Sequence, residues 1–189
     1  MKVAICVGHS RRILGRYDGG AVSVGKVSER SFNSELAGRL QDKLKAYGIS
    51  SNVFDDYVGS GYSSAMDDVA RKVKAYGSDL ALELHFNSSD SAQSNGYEYL
   101  FHHLSDKGRR LATLLLSEHN RKFPAFKARG VIPIDSNGRG FAFLQKTSCP
   151  AVICEPFFGS NQKEWDFYSK ALDALAEVYA DAIYKYFAQ

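Results

Sequence analysis

The sequence predicts an α/β fold: a mixed, mostly parallel central sheet flanked by helices on both faces. Three observations carry this expectation. Short apolar runs that read as strands alternate with longer segments of helical period, the order in which parallel sheets are built. Residues 80–87, "LALELHFN", alternate apolar and polar side chains as a half-covered strand does. At 189 residues the chain can bury one sizeable core without disulfides or a structural metal, so 1–189 is expected to be a single domain.

The elements follow in order. "KVAICVG" (2–8) is a buried strand closed by Gly8, with His9 just beyond it. Residues 10–27 are rich in Gly, Ser and Arg, have no clean period, and form a loop long enough to be functional. From Ser31 the spacing of Leu36, Leu40, Leu44 and Tyr47 predicts a helix stopped by Gly48, with Glu29 at its start. "ISSNVFDD" is a second strand, and Ser64-x-x-Asp67 reads as a capping box for a helix carrying Met66, Val69, Val73 and Tyr76.

In 80–87, Leu80, Leu82, Leu84 and Phe86 take one face, and Glu83, His85 and Asn87 the other. "GYEYLF" is another strand and 111–123 another helix. "RGFAFLQ" and "PAVICEP" read as the last strands. Asn161-x-x-Glu164 caps a long terminal helix carrying Trp165, Tyr168, Leu172, Leu175, Tyr179, Ile183 and Tyr186.

Composition narrows the function. Hydrophobic content of 44% and charged content of 24% are ordinary for a globular protein. The formal charge of +3 is spread along the chain, so no nucleic-acid partner is expected. Three cysteines without a C-x-x-C motif argue for reduced thiols rather than a disulfide framework. No apolar run approaches the roughly 18 residues of a membrane span, and the first residues are too short for a signal peptide. The expectation is therefore synthesis in the cytoplasm, with no membrane partner.

Ligands of such sheets bind beyond the carboxyl ends of the strands. His9, His85 and Glu155 all end or follow predicted strands. Two histidines and a carboxylate are a known zinc set with room for water, and His9, Glu29 and His85 supply it. A further carboxylate is needed to move the proton, and Glu155 has the right type and position. Plainer readings stand beside these: strand-end histidines are often structural, Glu29 also suits a helix amino end, and Glu155 also suits pairing with an arginine.

The segments "VGHS", "SERSFN", "LELHFNS" and "PAVICEPFFGSN" resemble, in order, the four motifs of the zinc-dependent N-acetylmuramoyl-L-alanine amidases of the amidase type 3 family. "GYEYLF" and Arg129 to Val131 resemble blocks between them, and the likeness runs from residue 2 to about 165. The resemblance implies one catalytic amidase domain holding one Zn2+ on His9, Glu29 and His85, with Glu155 as the catalytic glutamate. The substrate is then peptidoglycan, cut between N-acetylmuramic acid and L-alanine of the stem peptide. Arg11, Arg16, Asn87 and Arg129 are the expected substrate contacts. The chain departs from the family where Cys6 stands two residues before the Gly-His pair in place of Asp, and where Glu83 replaces a small residue. Glu83 shares a strand face with His85, so it suits either a partner of that ring or a salt bridge elsewhere.

The biological setting follows from the same likeness. "HHLSDKGRRLA" leads straight into a helix, without room for the blocking insertion of regulated relatives, so the enzyme is expected to be open. A wall hydrolase without a leader resembles a phage endolysin, acting as a monomer that reaches the wall after release. The alternatives are the isolated catalytic domain of a cell-wall autolysin, or a zinc carboxypeptidase or other amidohydrolase acting on peptides. A non-catalytic wall-binding module is disfavoured because binding needs no general base.

Overall fold

The computed structural model describes residues 1–188. Its strands are β1 Lys2–Val7, β2 Arg12–Ile13, β3 Arg16–Tyr17, β4 Ser50–Phe54, β5 Leu80–Leu84, β6 Tyr97–His102, β7 Ala128–Ile134 and β8 Ala151–Glu155. The helices are α1 Glu29–Ala46, α2 Tyr62–Tyr76, α3 Asp106–Lys122, α4 Phe141–Lys146, α5 Gln162–Tyr168 and α6 Leu172–Ala188. Six strands form one sheet in the order β4-β1-β5-β8-β6-β7, and β2 and β3 pair separately as a small hairpin. Every pairing in the large sheet is parallel except β6 with β8. This is the mixed, mostly parallel sheet that the sequence predicts.

The single reversal matters for the site. Because β6 runs against β8, its amino end stands at the same rim as the carboxyl ends of β1, β5 and β8, and Glu98 lies opposite Glu155 in register. The turn 103–105 that leads into α3 is therefore at the far rim. The stretch flanking the site is the one that enters β6, residues 88–96, and not the turn on which the expectation of an open enzyme was based.

The two faces are covered unequally. One packs α1, α3 and α6 against Val3, Ile5, Val7, Leu82, Leu84, Tyr99 and Val152. The other packs α2 and α4 against Ala4, Cys6, Ala81, Leu100 and Ile153. Strand alternation sends residues 83, 85, 98 and 155 to this second face, where the two helices leave part of the sheet open.

Several local expectations are corrected. Residues 141–146 form a helix, not a strand: Gly140 turns the chain in the left-handed region (φ 75°), and the amides of Leu144 and Thr147 donate four residues back, to Gly140 O at 3.3 Å and Phe143 O at 3.1 Å. The strand lies earlier, at β7, an edge position that tolerates Pro133. The terminal helix is interrupted between α5 and α6. Helix α1 starts at Glu29, ahead of Ser31, because Ser28 is its cap and accepts from the Ser31 amide. Ser64 sits inside the first turn of α2, where its hydroxyl accepts from the Gly61 amide. Helix α3 starts at Asp106 rather than at 111, with Ser105 as cap. All three cysteines are free thiols, and among the described residues no helix is long and apolar enough to cross a membrane.

Candidate metal centre and active-site cavity

The centre is assembled from three chain segments. Strand β1 ends at Val7; the amide of the next residue, Gly8, donates to Leu84 O at 3.0 Å, and His9 follows in the left-handed region (φ 57°). That conformation is uncommon for a residue with a side chain, and here it turns the ring toward the sheet end. Gly8 has no space for a Cβ, which would stand 2.3 Å from His85 Cε1. His85 follows β5 directly, and its amide donates to Cys154 O on the neighbouring strand at 3.0 Å.

Glu29 comes from the first turn of α1 and is 3% exposed. Its Oε2 accepts from the Ala21 amide at 3.1 Å and its Oε1 from the Phe86 amide at 3.2 Å. Oε1 also lies 2.7 Å from His85 Nδ1, and Oε2 lies 3.3 Å from His9 Nε2. Burial pushes the Glu29 carboxyl up, but its bond to His85 and the charges of both rings outweigh this and hold it below the ordinary value. Burial likewise opposes a charged His85, yet Glu83 and Glu29 raise that imidazole well above its usual value.

Each ring has a second carboxylate on its other nitrogen. Asp18 Oδ1 is 3.0 Å from His9 Nδ1, and Glu83 Oε2 is 3.4 Å from His85 Nε2. One donor atom from each of His9, Glu29 and His85 falls within 4.8 Å of the others. Two nitrogens and one oxygen, surrounded by an excess of carboxylates, are a donor set that fits a divalent cation with one position left open.

Glu155 ends β8 and is 5% exposed. Arg139 Nη1 donates to its Oε1 at 2.9 Å, while Oε2 is buried and has no hydrogen-bond partner. Burial pushes this carboxyl up to about 7, against the opposing charges of His85 and Arg139. All four residues line one cavity of about 530 Å³. The rest of its lining is largely apolar: Leu100 and Ile153 on the floor of the sheet beside Glu155, and Tyr57 with Tyr62, Ala65 and Met66 of α2.

Of the four expected substrate contacts, Arg11 and Asn87 line the cavity. Arg16 is exposed on β3, and Arg129 is turned to Glu98 Oε2 at 2.6 Å; neither is in the lining. Sequence reasoning passed over Asp18, Glu98 and Arg139. Glu98 was signalled by a lone charge among the apolar residues of "GYEYLF", whereas Asp18 and Arg139 sit in loops where spacing says nothing about partners.

No curated relative matches the chain by sequence. Solved structures do match in fold. The N-acetylmuramoyl-L-alanine amidase AmiC2 of Nostoc punctiforme aligns with a TM-score of 0.82 at 20% identity, covering 100% of this chain and 98% of that one. The catalytic domain of the CD27L endolysin, which targets Clostridia difficile, aligns at 0.81 and 26% identity over 98% of this chain and 97% of the other. The catalytic domain of CwlV from Bacillus (Paenibacillus) polymyxa aligns at 0.80 and 23% identity over 100% and 99%. The model of the amidase type 3 family, N-acetylmuramoyl-L-alanine amidase, matches residues 3–185, so nearly every element described above falls within it. The chain belongs to this family of N-acetylmuramoyl-L-alanine amidases and is a peptidoglycan hydrolase.

Proposed function

We propose that His9, Glu29 and His85 hold a single zinc ion and that Glu155 is the general base of the amidase reaction. The observation that carries this reading is the state of Glu155: one oxygen is tied to Arg139, while the other is buried, unpartnered and part of the cavity that the three donors line. A bound zinc supplies Lewis-acid polarisation of the scissile carbonyl and lowers the pKa of water. Glu155 Oε2 takes the proton of the attacking water and returns it to the L-alanine nitrogen as the amide C–N bond breaks. A carboxyl held at about 7 is poised for both transfers near neutral pH. Glu29 keeps its charge chiefly through its bond to His85 and the charges of the two rings, and Asp18 and Glu83 fix the rings. Arg11 and Asn87 face the substrate, whose uncharged parts lie against the Tyr62–Met66 side.

The setting we propose is that of an endolysin: a monomer made in the cytoplasm that meets the wall after release. Likeness to the CD27L endolysin catalytic domain supports this.

The test is hydrolysis of purified peptidoglycan with and without chelator, with zinc added back, comparing the parent with Glu155→Ala. Intact stem peptides should be freed in a zinc-dependent way, and the variant should bind zinc without cleaving. Release of single amino acids instead would point to a carboxypeptidase, and activity in Glu155→Ala would remove the base assignment.

A further inference from the structure

Glu98 and Glu155 stand directly opposite each other on antiparallel strands, and both are buried. Like charges in that relationship repel, and burial magnifies the cost unless a cation lies between them. Arg139 is that cation: Nη1 donates to Glu155 Oε1 at 2.9 Å, and Nη2 to Glu98 Oε1 at 2.5 Å. Glu98 is itself held from behind, accepting from Asn87 Nδ2 at 3.0 Å and from Arg129 Nε at 2.6 Å. Burial pushes its carboxyl up, but these donors and the arginine charges outweigh that and keep it below the ordinary range.

The loop that carries Arg139 is pressed onto the sheet. A Cβ on Gly138 would stand 2.7 Å from Ile134 Cγ2, and one on Gly140 2.2 Å from Ile153 Cδ1. Arg139 therefore leaves the backbone from between two points of close contact. Its planar fork then reaches both carboxylates at once, which the single ammonium of a lysine cannot reproduce. The guanidinium stays about half exposed and lines the cavity.

We propose that Arg139 is a positioning residue for the amidase reaction: it holds Oε1 of Glu155 so that Oε2 alone is presented to the cavity, and the Glu98–Arg129–Asn87 cluster holds Arg139. The proposal rests on the reading of Glu155 as the general base. It gives Arg129, which is not in the cavity lining, a role behind the base, and gives Asn87 a bond to Glu98 in addition to its place in that lining.

The experiment measures kcat, KM and zinc content of the full chain on a soluble muramoyl peptide for Arg139→Ala, Arg139→Lys, Glu98→Gln and Glu155→Gln. Misplacing a reacting group by about 1 Å costs on the order of 100-fold, so kcat of Arg139→Ala should fall by about that factor, with KM and zinc content near the parent's. Low concentrations of guanidinium should restore part of that kcat but none in Glu155→Gln. Arg139→Lys should recover only a fraction, and Glu98→Gln should lose kcat in the same direction. A parent-like kcat in Arg139→Ala beside an inactive Glu155→Gln overturns the positioning role alone. A loss confined to KM, or one that guanidinium does not relieve, overturns it too. An active Glu155→Gln overturns the base reading on which it rests. Should Arg139→Ala not fold, the kcat of Glu98→Gln decides: parent-like overturns the role, reduced with zinc intact supports it.

Discussion

His9 is held between two carboxylates, with Asp18 Oδ1 at 3.0 Å from Nδ1 and Glu29 Oε2 at 3.3 Å from Nε2. The ring is thus oriented by one acid and aimed at the donor cluster beside the other. Glu83 stands in the same relation to His85, on the far side from Glu29. Partners of this kind fix the tautomer and raise the basicity of a ligand imidazole. Asp18→Asn and Glu83→Gln should therefore each weaken zinc binding by about 10–100-fold while the protein stays folded. Competition against a chromophoric chelator reads this directly, and parent-like affinity in either variant would remove that carboxylate's role.

Glycines around the centre give a second expectation. At Gly20, with φ 71°, a Cβ would fall 2.6 Å from His9 Cδ2 and 2.7 Å from Glu29 Oε2. Gly20→Ala should leave far-UV circular dichroism unchanged and abolish zinc retention after gel filtration. Gly38 in α1 is the control: nothing lies within 4 Å of its Cβ position. Gly38→Ala should raise stability by about 0.5–1 kcal/mol, with zinc content unaltered.

Away from the cavity, His119 is fully buried between the hydroxyls of Tyr99 (2.7 Å from Nδ1) and Tyr168 (2.8 Å from Nε2), and stacks on Tyr97. Burial pushes its pKa down to about 3. The folded state thus refuses a proton that the unfolded chain accepts below about 6.5. Stability from this group is complete above that pH and declines as pH falls from 6.5 toward 3, by about 1.4 kcal/mol per unit. Urea unfolding of the parent and of His119→Gln should show their stability difference shifting in the variant's favour across that window. A pH-independent difference would mean that the ring is not held neutral.

Much of this architecture was legible from period alone. Residues 80–87 gave both a strand and the face that carries Glu83 and His85, because alternation is a property of the backbone. Strand direction has no such mark, so nothing in "GYEYLF" announced that β6 runs against β8 and brings Glu98 to Glu155. Residues 141–146 misled because six residues are too few to separate a strand's period from a helix's. The break between α5 and α6 was hidden for a different reason: Trp165, Tyr168, Leu172 and Leu175 keep helical spacing straight across it. In the cavity, residues at strand ends could be found by position, whereas Asp18 and Arg139 acquire partners only through tertiary folding.

The unequal covering of the sheet has a consequence for how this enzyme can change. His9, His85 and Glu155 stand at strand ends beside Glu29 of α1, and they are held by the bonds of Asp18, Glu83, Glu29 and Arg139. Much of the facing wall belongs to α2, whose Tyr62, Ala65 and Met66 have no bond to any of those groups. On the proposed reading, the groups that carry the chemistry and the apolar face of α2 belong to separate parts of the chain, so substitutions on that helix face leave the bonds around Glu155 and the two histidines in place.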